Sequence, residues 1–182
     1  MSQVSKLNMV NAKLGATMPG QQTTRYIYDS VTASAAGATF YSFFQTFSGK
    51  TEFESNLTTN KLDSSESMVI KSIFLVVNPG TDGTLDLSGH SNLNITVGNQ
   101  VVLKDFNLAM NATNRGLAYD RLHSGYNNAT ELEIRLLTDI VIPPQVNFKA
   151  TLELAENTAV ADTSITLGFK GYGTIFSAGS TF

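Results

Sequence analysis

The sequence contains no cysteine and no tryptophan, and it is poor in charge. Without cysteine the chain has no disulfide, no thiolate nucleophile and no sulfur-ligated metal. Charged residues make up 15% of its 182 residues, whereas an average domain has about 25%. The net charge of −3 excludes a polycation that binds DNA through bulk charge. A surface with so few charges is covered either by neutral polar groups or by neighbouring molecules.

Long apolar runs are also missing. No segment approaches the roughly 18 consecutive apolar residues that a membrane-spanning helix needs. Residues Met1–Gly20 lack the apolar stretch of a secretory signal. The sequence therefore predicts no membrane-spanning segment and no export from the cytoplasm in which the protein is made.

Motifs for catalysis or ligand binding are scarce. The two histidines, His90 and His123, lie in segments without a nucleophile elbow or zinc-ligand spacing. Asp82–Asp86 only faintly resembles a calcium loop, because it lacks the bidentate glutamate of an EF-hand, and we interpret it as a turn. No glycine-rich phosphate loop is present. We therefore predict no enzyme activity, no catalytic residue, no cofactor and no metal site.

Most of the chain shows the alternation that is typical of β-strands. In residues 131–136, 148–154 and 165–170, apolar side chains alternate with polar ones. Residues 24–34 and 39–47 are rich in aromatic and β-branched side chains. About eight to ten such strands without an internal repeat favour a sandwich over a propeller or a solenoid.

One hairpin is predicted around Gly98-Asn99-Gln100, interpreted as a three-residue loop. Pairing Val97 with Val101, and Ile95 with Leu103, places every apolar residue of the hairpin on one face.

Other segments have irregular features. Ser67–Val77 is apolar on both alternating faces, so we expect the opposite sheet on one side and a further cover, such as a neighbouring subunit, on the other. The paired prolines of Ile140–Pro144 cannot donate ladder hydrogen bonds and predict a corner. Gly171 and Gly173 predict a bend in the last strand.

The N-terminal stretch differs from the rest, because it carries Lys6, Lys13 and Arg25 and no acidic residue. We predict an arm over residues 1–23, with a short helix in it, followed by a single domain over residues 24–182. The three cations are candidates for contact with nucleic acid, but they are too few for strong binding by themselves.

The order of several stretches along the chain is distinctive. These stretches are Phe43-Phe44-Gln45 with Ser55-Asn56-Leu57 and Lys61-Leu62, then Glu66–Val77, and finally Ile140–Phe148 with Leu152 and Thr166–Gly173. In this order they resemble single jelly-roll coat proteins of small tailless icosahedral viruses, bacteriophages in particular. The likeness is to the first core strand and its loop, a central strand, and the proline-marked corner with the final strands.

This resemblance implies an all-β fold, an eight-stranded antiparallel jelly-roll sandwich with an N-terminal arm. It implies a structural virion protein that self-assembles, through homo-oligomers such as pentamers or trimers, into an icosahedral shell around the genome. It also implies contacts with other virion proteins and no catalytic residue.

Two segments are candidates for contacts between subunits. One is the strand that is apolar on both faces, and the other is the long segment Asn111–Asn128, because long loops in compact domains are usually functional or disordered. The candidate contact residues are Val69, Lys71, Ile73, Leu75, Arg115, Tyr119, Arg121 and Tyr126.

Two other interpretations stay open. A carbohydrate-binding or virion-decoration β-sandwich would use the aromatic and asparagine-rich loops, although sugar platforms favour the tryptophan ring that this chain lacks. A fimbrial or secreted adhesin would need an export signal, which the N-terminal residues do not contain.

Overall fold

The computed structural model describes residues 20–32, 39–78, 91–108, 130–154 and 164–176. These residues form eight strands, and the predicted all-β class is confirmed. The strands are β1 (Gly20–Thr32), β2 (Phe40–Phe43), β3 (Glu66–Asn78), β4 (Ser91–Val97), β5 (Gln100–Asn107), β6 (Thr130–Ile142), β7 (Phe148–Leu154) and β8 (Ser164–Phe176).

The strands form two antiparallel four-stranded sheets. Sheet 1 has the order β1-β8-β3-β6, and sheet 2 has the order β2-β7-β4-β5. β4 and β5 follow one another in the chain and pair within sheet 2. Every other pair of consecutive strands is divided between the two sheets. This interleaved order of eight strands is the jelly roll, so the predicted sandwich topology is confirmed.

The core lies between the two sheets and is filled by aliphatic and aromatic side chains. The ring of Phe44 lies at its centre, 5.2 Å from the ring of Phe148 and 5.1 Å from that of Phe169, in tilted arrangements. Such tilted aromatic contacts add to the free energy gained by burying the rings. Phe148 of β7 and Phe169 of β8 belong to different sheets, so Phe44 joins the two layers.

Two strand boundaries differ from those predicted. β1 begins at Gly20 rather than Thr24, so residues 20–23 of the predicted arm pair with β8. β2 ends at Phe43 instead of Phe47, because Phe44 has a left-handed backbone with φ of 61°. A left-handed residue interrupts the extended conformation that a ladder requires.

The hairpin between β4 and β5 has a shorter turn than predicted. Val97 pairs with Gln100 across the two residues Gly98 and Asn99. The predicted pair of Ile95 with Leu103 is present. The predicted pair of Val97 with Val101 is wrong, because the register shifts between Ile95 and Thr96 and Val101 pairs with Thr96 instead. Val101 is consequently exposed. Gly98 has a φ of +60°, the conformation that such a tight turn demands.

The corner near the paired prolines comes later than predicted. Residues 140–142 belong to β6 and pair with residues 68–70 of β3. The chain turns after Ile142, where Pro144 forms an isolated bridge with Leu62. β8 continues from Ser164 to Phe176 without interruption through both glycines, and the extra residue in its pairing with β3 belongs to β3. The predicted bend at the glycines stays a prediction.

Candidate functional site

The outer face of sheet 1, which points away from sheet 2, carries Val69 and Lys71, two of the candidate contact residues that the sequence singles out. Ile27 in β1, Ile73 in β3 and Phe169 in β8 point into the core. The side chains that alternate with these core positions therefore form the outer face. They include Tyr26, Tyr28, Ser72, Phe74, Val76, Glu133, Arg135, Thr166, Lys170 and Tyr172.

A bulge at Lys71 reverses the alternation of β3. Ile70 pairs with Gly171 and Ser72 pairs with Lys170, so Lys71 is an extra residue with no partner in β8. An extra residue moves every later side chain to the other face. The four candidate contact residues of β3 occupy alternate positions, which share one face in a regular strand. Because of the bulge they do not: Val69 lies on the outer face, and Ile73 and Leu75 point into the core.

The bulge leaves little of β3 available for a neighbour. Ile73 and Leu75 are buried in the subunit's own core. Val69 lies outside that core cluster and is also buried, with 1% of its surface exposed. Lys71 is the one candidate of this group with an accessible side chain. Contact between subunits through this strand stays a prediction, with Lys71 as the only accessible one of its four candidate residues.

Lys71 is held by an acidic and an aromatic partner. Its ammonium donates to both carboxylate oxygens of Asp139, at 2.6 and 2.7 Å, and lies 5.4 Å from the centre of the Tyr172 ring. Partial desolvation lowers the pKa of Lys71, but Asp139 and Tyr172 outweigh it and the net pKa is raised. The charge of Lys71 is therefore already compensated inside the subunit.

A second lysine on the outer face is compensated in the same way. Lys170 lies 3.6 Å from a carboxylate oxygen of Glu133 and 5.7 Å from the centre of the Tyr26 ring. The hydroxyl of Ser72 donates to the same Glu133 oxygen at 3.0 Å. Together these contacts compensate both lysines, which leaves little free positive charge on them for binding phosphate.

Two glycines of β8, Gly168 and Gly171, allow groups of the neighbouring strand β3 to approach the β8 backbone closely. A Cβ on Gly168 would overlap the ring of Phe74, which therefore lies flat across the glycine on the outer face. A Cβ on Gly171 would overlap the carbonyl oxygen of Val69, which the bulge pushes toward β8.

Arg25 is placed in a strand and not on an arm. It lies within β1, and its guanidinium donates to a Glu66 carboxylate oxygen at 2.9 Å. The prediction that Arg25 belongs to a basic arm is therefore corrected, because β1 begins before it and Glu66 already compensates its charge. Lys6 and Lys13 lie outside the described residues, as do His90 and His123. Arg115, Tyr119, Arg121 and Tyr126 also lie outside them.

One edge of sheet 1 is closed by the chain that follows β2. The side chain of Asn56 accepts from the Tyr28 amide at 3.0 Å and donates to the Tyr26 carbonyl at 2.7 Å. The Ser30 amide donates to the Glu54 carbonyl at 2.7 Å. These contacts occupy backbone groups that an edge strand otherwise exposes.

The turn over residues 51–55, called here the Phe53 turn, is fixed by several hydrogen bonds. The amides of Glu54 and Ser55 both donate to the Thr51 carbonyl at 3.0 Å. The Thr51 amide and hydroxyl donate to the Glu54 carboxylate, and these bonds lower the pKa of Glu54 and keep it ionised. The Tyr28 hydroxyl donates to the Glu52 carbonyl at 2.6 Å. At the tip, 93% of the Phe53 surface is exposed.

The opposite side of the sandwich has an apolar opening, called here the edge groove. It has a cavity volume of about 350 Å³ and is lined by Val102, Leu103 and Phe106 of β5 and by residues 135–141 of β6. β5 is an edge of sheet 2 and β6 is an edge of sheet 1, so the groove lies between two sheet edges. Neither it nor the Phe53 turn is among the sequence predictions, because both depend on which strands become edges.

Within the described ranges, no group of three or more His, Asp or Glu side chains is close enough to hold a metal ion. The same ranges include no apolar helix of membrane-spanning length.

The chain was compared with known proteins. No family model and no curated protein matches it. Among solved structures, it is similar to the major capsid protein P2 of bacteriophage PM2, with 6% identity and a TM-score of 0.37 over 90% of this chain. The chain spans 47% of that protein, about half its length.

Two further solved structures share this likeness. One is cocksfoot mottle virus, with 10% identity and a TM-score of 0.37, covering 89% of this chain and 97% of the other. The second is the capsid asymmetric unit of cyanophage Pam1, with 14% identity and a TM-score of 0.32, covering 87% and 86%. The strand order of the two sheets identifies the jelly roll independently of these likenesses.

Proposed function

We propose that this chain is a coat subunit that self-assembles into an icosahedral shell around a viral genome. The observation that carries the proposal is the strand order, β1-β8-β3-β6 against β2-β7-β4-β5. Double-sheet jelly rolls of this kind occur in viral capsids, lectins and cupins. Because a fold by itself does not determine function, the surface has to distinguish among these classes.

The surface favours a subunit that is covered by neighbours. Among the described residues, six large apolar side chains are exposed: Tyr26, Phe40, Phe53, Val101, Val102 and Leu137. Several of them lie at sheet edges or on the turn beside an edge, where a neighbouring subunit would pack. Exposed apolar groups that gather at such places mark protein–protein contacts.

The charge distribution supports a structural shell and gives a small role to nucleic acid. The lysines of the outer face are paired with acids, and Arg25 is paired with Glu66. Weak contact with nucleic acid through Lys6 and Lys13 stays a prediction. In this proposal the protein resides in the virion and has no enzymatic role.

The test is mass photometry with negative-stain imaging of the purified chain over a range of salt and protein concentrations. We expect rings, pentamers or trimers that close into particles. A strict monomer at every concentration would contradict the proposal. Glycan-array binding by such a monomer would instead support the carbohydrate-binding alternative.

A further inference from the structure

The Phe53 turn and the edge groove lie on opposite sides of the subunit. The turn is bonded to β1 and the groove is bordered by β6, which are the two edges of sheet 1. Three spacings of about 4.8 Å separate these strands, so roughly 14 Å of sheet lies between them. Phe53 therefore cannot enter the groove of its own subunit.

The two features are both apolar. Phe53 projects an exposed aromatic ring, and the groove offers an apolar lining that includes Leu136, Leu137 and Val102. A phenylalanine side chain buries about 150–250 Å² when it is enclosed, which makes such a ring a strong anchor.

The two features are also complementary in charge. Glu52 and Glu54 flank Phe53, and neither forms an ion pair with a lysine or arginine among the described residues. Lys50, whose charge lowers the pKa of Glu54, is itself ion-paired with Asp29. At the groove, Asp139 is neutralised by Lys71, whereas Arg135 is exposed and has no ion-pair partner in the described part of the chain. The turn thus presents negative charge, and the groove presents one uncompensated positive charge.

The turn is organised before any partner binds. Its hydrogen bonds to Thr51 and Tyr28 already fix the backbone on both sides of Phe53. Little conformational entropy is then lost when the ring is enclosed, and this lowers the free-energy cost of association.

We infer that the Phe53 turn of one subunit inserts into the edge groove of a second copy of this chain. The contact is heterologous, because each subunit offers a turn on one side and a groove on the other. Repetition of such a contact gives closed rings when the rotation between copies closes, and open chains when it does not. The inference rests on the proposed function and names one contact of the shell.

The experiment compares association of three variants by sedimentation velocity, below the concentration at which shells form. Phe53→Ala removes the anchor, and Leu137→Glu places an acid in the groove opposite the two glutamates. Both positions are exposed, so both variants should fold. We expect each to weaken association at least tenfold. Lys61→Ala, which shortens a long side chain at an exposed position outside the proposed contact, is the control and should change association less than twofold.

A mixing experiment tests the head-to-tail geometry. Phe53→Ala keeps an intact groove and Leu137→Glu keeps an intact turn, so an equimolar mixture should form heterodimers although neither variant associates alone. A mixture that stays monomeric would overturn the head-to-tail contact.

The outcomes also separate this inference from the proposed function. If both variants form rings and particles as well as the wild type does, the inference is wrong and the coat function stands. If the wild type itself is always monomeric, both fail.

Discussion

The carboxylate of Asp29 lies 2.6 Å from the ammonium of Lys50 and 2.7 Å from the amide nitrogen of Phe44, and Asp29 is completely buried. One side chain therefore ties β1 to the left-handed residue that ends β2 and to the loop that follows. A buried charge is tolerated only when it is paired and hydrogen-bonded, and Asp29 satisfies both conditions.

Removing this carboxylate should be strongly destabilising. Asp29→Ala leaves a largely buried ammonium and an unbonded Phe44 amide, and we expect the free energy of unfolding to fall by about 3–5 kcal/mol. Urea denaturation followed by circular dichroism measures the change. Lys61→Met, at an exposed position, is the control and should stay within about 0.5 kcal/mol of the wild type. An equally small effect of Asp29→Ala would contradict the structural role of the pair.

The contact between Phe74 and Gly168 predicts a coupled pair of substitutions. Gly168→Ala forces the Phe74 ring aside and should cost about 1–3 kcal/mol of unfolding free energy. In a Phe74→Ala background the same change should cost much less, because the obstruction is gone. Gly49→Ala is the control: it has open space but a φ of +82°, so it should cost about 1–2 kcal/mol in either background.

Two threonines of β8 allow a matched test of buried hydroxyls. Thr174 is buried and its hydroxyl oxygen has no hydrogen-bond partner among the described residues, whereas the Thr166 hydroxyl lies 2.7 Å from that of Ser30. Thr174→Val should be neutral or stabilising by about 1 kcal/mol, because an unsatisfied buried group is removed. Thr166→Val should lose about 1 kcal/mol with its hydrogen bond. Thermal or urea denaturation of both variants checks the difference in sign.

The Lys71–Asp139 contact predicts a pH dependence at high pH. The pKa of Lys71 is raised in the folded state, so the stabilisation is present below the ordinary lysine pKa and is lost as the pH rises through the raised value. Asp139→Asn should lower the stability near neutrality and flatten this alkaline decline. Unfolding free energies from about pH 8 to about pH 12 measure it.

The control for that pH dependence is Asp105→Asn. Asp105 lies 3.9 Å from Lys104 and both side chains are exposed, so this contact should contribute little. If Asp105→Asn flattens the alkaline loss of stability as much as Asp139→Asn does, the loss comes from the net charge of the protein and not from the Lys71–Asp139 contact.

Alternation in the sequence was enough to predict the class of fold and most of the strands. In 148–154, the side chains of Phe148, Ala150, Leu152 and Leu154 are buried as the pattern requires. The β3 strand shows where this reasoning fails. A bulge adds one residue whose position depends on the partner strands, and the sequence around Lys71 contains no glycine or proline to mark it.

The proposed contact surface was harder to predict, because it depends on strand order. The sequence does indicate that Asp29 faces the core, because it alternates with the apolar residues Ile27 and Val31. The Phe53 turn and the edge groove carry none, because only the order of strands in the two sheets makes β1, β5 and β6 edges.

The side chain of Asn56 imitates a peptide group along β1, accepting from one residue and donating to another as a neighbouring strand would. A strand from another molecule therefore cannot pair with this part of β1, because those hydrogen-bonding groups are already used. Runaway polymerisation by sheet extension, the first step toward a fibril, is blocked on that side. For the coat subunit proposed above, which would accumulate before it assembles, this protection excludes one route to fibrils in place of a shell.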